Sequence, residues 1–145
     1  MTDIIITENQ SIVTFNNVTA SYENSFIYEV LEKAAESGIS IDMIAQSPAT
    51  SEKISFGFTF NDDALPKLLP IIKSQNPLIN SGNVKLTVKS REMVNNTGFA
   101  SNVFAVLKKL GCVPMLITTG LDEISLLVHQ SNRVDLEREL REIFI

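Results

Sequence analysis

The sequence predicts an α+β fold made of two similar βαββαβ units, and two observations lead to this prediction. A helical pattern over 98–110 ends at Gly111 and is followed by two apolar runs with a short acidic turn between them. The same order of helix, strand, hairpin and strand occurs upstream, where Phe26 and Gly38 match Phe99 and Gly111 at an offset of 73 residues. The chain therefore repeats one structural unit.

The first unit begins with a strand of alternating β-branched residues and continues with an amphipathic helix. Asn24 or Ser25 is the candidate N-cap of that helix, and Gly38 suits the left-handed conformation at its end. Pro66 is compatible with the first turn of the second helix, whereas Pro70 should kink or shorten it. The predicted elements are strand 11–15, helix 26–37, strands 39–45 and 54–60, helix 64–73 and extended segment 77–80.

The second unit repeats this order but lacks a final strand. Its predicted elements are strand 84–89, loop 90–97, helix 98–110, strands 113–119 and 123–129, and helix 134–143. A further strand, 3–7, precedes the first unit and is separated from it by a turn at 8–10. The simplest closure is that this strand completes the second unit. We therefore expect one domain at 9–80 and another at 81–145, with strand 3–7 added to the latter and the boundary between the two units at 81–83.

The composition excludes several classes of function. With 44% hydrophobic and 20% charged residues, the chain resembles a compact protein rather than a disordered one. A net charge of −5 argues against nucleic acid or an anionic membrane as a partner. The single cysteine excludes an internal disulfide, and neither a signal peptide nor a membrane span is visible. We expect a cytoplasmic protein.

No catalytic or metal-binding constellation is visible in the sequence. His129 is the only histidine, and Cys112 opens an apolar strand as core cysteines do. No phosphate-loop or zinc motif is present, so neither enzymatic activity nor a cofactor is expected. The candidate ligand-binding segments are loops 16–25 and 90–97, which are rich in Ser and Asn and lead into helices. Helix N-termini suit carboxylates, although many such loops bind nothing.

The order and spacing of the motifs resemble those of aspartokinase regulatory regions over nearly the whole chain. The segment GFASNVFAVLKKLG, followed by a strand, a turn and EISLLV and preceded by VKLTVKSREM, looks like the second ACT domain of aspartokinases. The segment ISIDMIAQSPATSEKISFGFTF resembles the first ACT domain. The resemblance implies two ferredoxin-like βαββαβ domains with antiparallel sheets and helices on one face.

This resemblance also implies a function and a set of ligand-binding residues. Such regions bind a feedback amino acid, usually lysine or threonine, at interfaces between ACT domains, and they act as homodimers on a kinase domain in cis or in trans. Asp42 and Gln46 match effector-site positions of the first domain, and Met93 and Gly98 match motif positions of the second. The residues implied to bind the ligand are Ser25, Ile27, Asp42, Gln46, Met93, Gly98, Phe99, Val113 and Pro114. The chain itself is expected to be regulatory and not catalytic.

The sequence departs from the family pattern at the expected ligand site. Tyr22 and Ser25 replace the Asp and Gly of the first loop, and Val113-Pro114 replaces an Asn-Ile pair. Because Pro114 has no backbone N–H, a ligand hydrogen bond from that group is impossible. Two hypotheses follow: an amino-acid-sensing regulatory region, or a structural dimerisation module whose pockets bind no ligand.

Overall fold

The structure, a computed structural model, describes residues 1–145 and contains six strands and four α-helices. The strands are β1 (Thr2–Thr19), β2 (Ile44–Gln46), β3 (Lys53–Asn61), β4 (Leu78–Ser90), β5 (Leu116–Thr119) and β6 (Glu123–His129). The helices are α1 (Phe26–Glu36), α2 (Leu65–Ile72), α3 (Phe99–Leu110) and α4 (Arg133–Phe144). Two compact units result: the first unit is Asn9–Ser81, and the second unit is Met1–Glu8 with Gly82–Ile145.

The first unit has the strand order β2-β3-β1-β4, in which β1 and β2 both run antiparallel to β3. β4 begins in this unit, where Ile79 packs against the core and the hydroxyl oxygen of Ser81 lies 2.8 Å from that of Ser11. Both helices cover one face of the sheet, because the side chains of α1 and α2 share one cluster with alternate residues of β1 and β3. This is the ferredoxin-like arrangement.

Aromatic side chains dominate the core of the first unit. The Phe15 ring meets the Phe26 ring edge-on with centroids 5.1 Å apart, and the remaining ring pairs are 5.9 to 6.5 Å apart. The rings belong to Phe15, Phe26, Phe56, Phe58 and Phe60. Such pairs add about 0.5–1.5 kcal/mol each beyond the burial of their area. Pro70 lies inside α2, and this helix stops at Ile72 and passes into a 3₁₀ turn.

The second unit has the equivalent strand order, β5-β6-β4-β1. The strand that completes it is the beginning of β1. Ile4 lies in the core of this unit, and the Thr2 hydroxyl donates to the Ser90 hydroxyl oxygen at 3.0 Å. Glu8 forms an ion pair with Arg133 at the start of α4. The core is mainly aliphatic and contains Val84, Leu86, Val88, Val103, Leu107, Ile124, Leu126, Leu136 and Leu140.

Two long strands differ from the sequence-based expectation. The predicted turn at 8–10 and the predicted start of a loop at 16 are wrong, because β1 is continuous through both positions. Asn9 and Asn17 have positive φ angles of 59°, and the register with β3 shifts between Phe15 and Val18. Asparagine tolerates this conformation, so the strand bulges without ending. The two units divide between Ser81 and Gly82, within the predicted boundary at 81–83, although β4 continues through this position with a φ of 76° at Gly82.

The two edge strands are shorter than predicted. Strand 39–45 reduces to Ile44–Gln46, because the N–H of Ile39 bonds back to the carbonyl of Ala34 and closes the end of α1. Strand 113–119 reduces to Leu116–Thr119, since Pro114 has no N–H to donate to a ladder.

Candidate ligand-binding cavity

The first unit contains a cavity of about 260 Å³ at its strand-to-helix loop. Five segments form its wall: the end of β1, loop 20–25, the first turn of α1, the end of β2 and the β2–β3 hairpin. The lining residues are Val18, Thr19, Ala20, Ser21, Tyr22, Asn24, Ile27, Gln46, Ala49 and Ile54. The bulge in β1 lies immediately before the first of them.

Hydrogen bonds within the unit hold the loop beside this cavity in place. The N–H of Ala20 donates to the carbonyl of Glu52 at 2.8 Å, which ties the end of β1 to the hairpin. The side-chain amide of Asn24 donates to the carbonyl of Thr19, and its carbonyl oxygen accepts from the N–H of Phe26, both at 3.0 Å. Asn24 therefore anchors both ends of the loop, and the cavity wall is preformed.

The chemistry of the wall suits a small ligand with a neutral side chain. Half of the lining residues are apolar, the others offer hydroxyl and amide groups, and none is charged. A cation lies next to the wall, because the Lys53 ammonium donates to the hydroxyl oxygen of Thr19 at 2.9 Å. The first turn of α1 also carries backbone N–H groups without intrahelical acceptors. Both features suit a ligand carboxylate at the rim.

Of the four residues predicted to bind ligand in the first unit, the structure brings two into this wall. Ile27 and Gln46 line the cavity from α1 and β2. Ser25 is exposed, and its hydroxyl donates to the Glu29 carboxylate at 2.9 Å. Asp42 is also exposed and is not among the lining residues.

Sequence reasoning missed most of the remaining wall. It predicted ligand binding at this loop, although the loop begins at 20 and not at 16, but it did not identify Ala49 of the hairpin loop or Ile54 of β3. Tyr22 was noted only as a departure from the family pattern. It is 97% exposed and stands at the rim of the cavity.

The residues predicted for the second unit lie in different surroundings. Phe99 is 2% exposed, and its ring packs against that of Phe144 with centroids 4.6 Å apart, so it belongs to the core. Met93 packs against the same core. The N–H of Gly98 already donates to the side-chain oxygen of Asn96 at 2.9 Å. Val113 is 87% exposed, and the adjacent Pro114 is half-buried.

The two residues considered for catalysis have structural roles. The His129 ring nitrogen Nδ1 accepts from the N–H of Ser131 and caps a short 3₁₀ turn. Cys112 is buried, and burial raises the pKa of its thiol. No three His, Cys, Asp or Glu side chains come together as a metal-binding group. None of the helices is long and apolar enough to cross a bilayer.

Comparison with known proteins shows similarity to aspartokinases. No family model matches the chain. An aspartokinase of Geobacillus stearothermophilus is 28% identical over 113 residues, covering 76% of this chain. The ligand-free regulatory subunit of aspartate kinase from Thermus thermophilus has a similar fold, with a TM-score of 0.85, 16% identity and coverage of 98% of this chain and 97% of that one. The chain is therefore similar in sequence to part of the aspartokinases and similar in fold to a regulatory subunit of aspartate kinase.

The similarity to aspartokinases extends over only part of their length. The chain spans 28% of the length of the curated aspartokinases that it matches. E. coli aspartokinase III in complex with lysine and aspartate has a TM-score of 0.73 at 21% identity, and the match covers 98% of this chain but 33% of that protein. The resemblance of the sequence to an aspartokinase regulatory region is therefore confirmed, and so is the α+β fold of two ferredoxin-like units.

Proposed function

We propose that this chain is the amino-acid-binding regulatory region of an aspartokinase and that the effector binds in the cavity of the first unit. The observation that carries this proposal is the cavity itself, in which Ile27 and Gln46 meet loop 20–25. The similarity to regulatory subunits supports it.

The cavity favours an effector with a small, uncharged side chain. A side-chain ammonium group, which lysine has in addition to the α-ammonium common to all amino acids, would meet no acidic side chain in this wall, and leaving a charge unpaired against apolar groups is costly. Hydroxyl and amide groups, in contrast, can satisfy a hydroxyl-bearing side chain. Of the two effectors that the family resemblance implies, we therefore favour threonine over lysine, with its carboxylate near Lys53 and the start of α1.

The effector would regulate the kinase by shifting the populations of two conformational states of the protein. A ligand changes the activity of an attached kinase domain only if it binds one conformational state better than the other. The kinase domain would be joined in cis or bound in trans, and the regulatory region would act as a homodimer in the cell cytoplasm. The result is feedback control of aspartate phosphorylation by an end-product amino acid.

A thermal-shift screen of the purified chain against the twenty amino acids tests this function. A ligand that binds only the native state at about 100 times its Kd adds roughly 2.7 kcal/mol to the free energy of unfolding. We expect threonine to raise Tm and lysine to leave it unchanged. Gln46→Ala should abolish the shift, whereas Gln75→Ala, an exposed glutamine outside the cavity, should retain it. A Tm that no amino acid changes would contradict amino-acid binding.

A second candidate function is dimerisation without a ligand, and the edge strand β5 favours it. β5 ends the strand order of its unit and pairs only with β6. Val113, Met115 and Ile117 around it are 87%, 38% and 36% exposed. Exposed apolar edge strands are ready sites for pairing with another chain. If sedimentation shows a dimer that Ile117→Lys dissociates while no amino acid raises Tm, this function replaces the first.

A further inference from the structure

Tyr22 is the only aromatic residue in the wall of the first-unit cavity. Its side chain is 97% exposed, although Val18, Ile27 and Ile54 give the same cavity apolar surface. An aromatic ring gains free energy when its apolar surface leaves water, and here the ring remains in water. A ligand in the cavity would offer this ring a surface to cover.

Hydrogen bonds fix the backbone on both sides of Tyr22 but leave its side chain free to move. The N–H of Asn24 donates to the carbonyl of Ser21 at 3.0 Å, so residues 21–24 form a turn with Tyr22 as its second residue. The N–H of Ser21 donates to the carbonyl of Thr19 at 3.1 Å, and the N–H of Glu23 donates to the Ser21 hydroxyl oxygen at 3.2 Å. Because the Tyr22 side chain is exposed, rotation about its bonds is unhindered. The ring can therefore turn toward the cavity while the loop stays in place.

An amino acid in this cavity brings an α-ammonium group for which the wall has no carboxylate. None of the lining residues is charged, and the nearby cation Lys53 suits the ligand carboxylate and not the ammonium. A cavity of about 520 Å³ in the second unit, here called the charged cavity, differs in this respect because Asp3 and Asp122 belong to its wall. Its lining residues are Met1, Asp3, Lys89, Ser90, Arg91 and Asp122. The first unit must stabilise an ammonium by other means.

We propose that the ring of Tyr22 covers the bound amino acid and holds its α-ammonium through a cation–π interaction, which makes Tyr22 a specificity-determining residue of this cavity. The face of an aromatic ring carries partial negative charge and attracts cations. The attraction strengthens when ring and cation leave water together, as they do when the ring closes over the ligand. Tyr22 stands where the family pattern has Asp, so the contact is a feature of this chain. This inference rests on the proposed function.

Two ligands that differ only in the ammonium group test the proposal. (R)-3-Hydroxybutanoate has the carboxylate, hydroxyl and methyl groups of threonine but no ammonium. In ¹H NMR titrations of the full chain, Tyr22→Leu should raise the Kd of threonine about fivefold, because it removes the cation–π interaction and keeps an apolar side chain. The same variant should change the Kd of (R)-3-hydroxybutanoate by less than about twofold. Tyr22→Phe, which keeps the ring, should bind threonine as the wild type does.

Ring-current shifts report the position of the ring. Protons above an aromatic face move upfield, so the α-proton of bound threonine should shift upfield with the wild type and with Tyr22→Phe but not with Tyr22→Leu. Two further variants serve as matched controls. Tyr28→Leu replaces the other tyrosine, which is 66% exposed on α1 and outside the cavity, and Glu23→Gln neutralises the exposed carboxylate next to Tyr22. Both should bind threonine with the Kd of the wild type.

Three results would overturn the inference. An equal rise in the Kd of both ligands with Tyr22→Leu would show that the ring acts only as an apolar cover. A rise in the threonine Kd with Glu23→Gln but not with Tyr22→Leu would assign the ammonium to Glu23. Either of these results leaves the proposed function standing, because threonine still binds in the cavity. Absence of threonine binding to the wild type would overturn both the proposed function and this inference.

Discussion

The two units share a strand order and key hydrogen bonds, but they differ in core and in cavity. The N–H of Ala20 bonds to the carbonyl of Glu52 in the first unit, as that of Ser90 bonds to Asp122 in the second, each at 2.8 Å. In the first unit an aromatic core lies beside an uncharged cavity, and in the second an aliphatic core lies beside a charged one. The topology therefore tolerates different side chains, and the chemistry of each site comes from its loops.

Loop length explains why the cavities differ. The first unit has a short loop before its helix, residues 20–25, and a long hairpin loop, 47–52, which supplies Ala49 to the cavity wall. The second unit has the opposite arrangement, with 91–98 before α3 and only 120–122 in the hairpin. The longer loop begins with a 3₁₀ turn that carries Arg91 to the charged cavity. The loop that is long in one unit is short in the other, and each long loop supplies residues to the cavity of its own unit.

Removing a buried side chain from either core should have the largest effect. Phe58 in β3 and Leu126 in β6 are both 0% exposed, and the two strands are equivalent in the two units. Phe58→Ala should lower the free energy of unfolding by about 3–5 kcal/mol, and Leu126→Ala by about 2–5 kcal/mol, because each leaves a cavity. Urea denaturation measures both. Tyr22→Ala, at a fully exposed position, should stay within about 0.5 kcal/mol of the wild type. A small effect of either core variant would contradict the equivalence of the cores.

Two adjacent isoleucines test whether β1 completes the second unit. Ile4 is 9% exposed and belongs to the core of that unit, whereas Ile5 is 47% exposed. Ile4→Ala should cost about 2–3 kcal/mol, and Ile5→Ala should cost clearly less. Deleting residues 1–8 should likewise destabilise the second unit preferentially, as hydrogen exchange of β4 and β6 would show. Equal losses for the two isoleucine variants would contradict the role of this strand.

The glycines that end the first helix of each unit should give smaller and matching effects. Gly38 and Gly111 have φ angles of 75° and 62°, with open space where a side chain would begin. Alanine at either position should cost about 1–2 kcal/mol, because only the left-handed backbone conformation is penalised. Gly98, which has a φ of −93°, is the control and should tolerate alanine with little loss. Thermal unfolding would measure the stability of all three variants. Unequal losses of stability at Gly38 and Gly111 would contradict the equivalence of the two units at this position.

The residue that follows each of these glycines should give the smallest difference in stability between the two units. This difference should depend on pH. Ile39 and Cys112 both bond back to the preceding helix, but only Cys112 titrates. Burial raises the pKa of its thiol, so its contribution to stability is complete below the unfolded thiol pKa of about 8.5 and is lost as pH rises through the folded value. Unfolding measured from pH 7 to 10 should therefore show an alkaline loss that Cys112→Val removes. The same loss in the variant would assign it to another group.

The sequence predicted the elements and their order because helical periodicity, β-branched alternation and the two terminal glycines are local signals. It also predicted that strand 3–7 had no place in the first unit. The turn at 8–10 was wrong because polar residues stand inside a long strand, where Asn9 takes a positive φ angle without ending it. β4 likewise continues through the unit boundary, where Gly82 takes a positive φ angle. Strand pairing overrode local preference there.

The candidate site was less predictable than the fold. Ile27 and Gln46 could be proposed from the family pattern, but Ala49 and Ile54 reach the wall only through the length of a hairpin loop. Ser90 and Arg91 of the charged cavity lie in loop 90–97, which the sequence singled out, but the other lining residues had no signal in the sequence. Asp3, Lys89 and Asp122 are far apart along the chain, and strand pairing alone places them together.

The most direct test of the account is an NMR titration of the ¹⁵N-labelled chain with threonine, with lysine as the comparison. We predict that threonine shifts the amide signals of Ser21, Ile27 and Gln46, leaves those of α4 unchanged, and has a larger effect than lysine at the same concentration. Unchanged signals in the first unit at millimolar threonine, or larger shifts with lysine, would contradict a neutral effector site in this cavity.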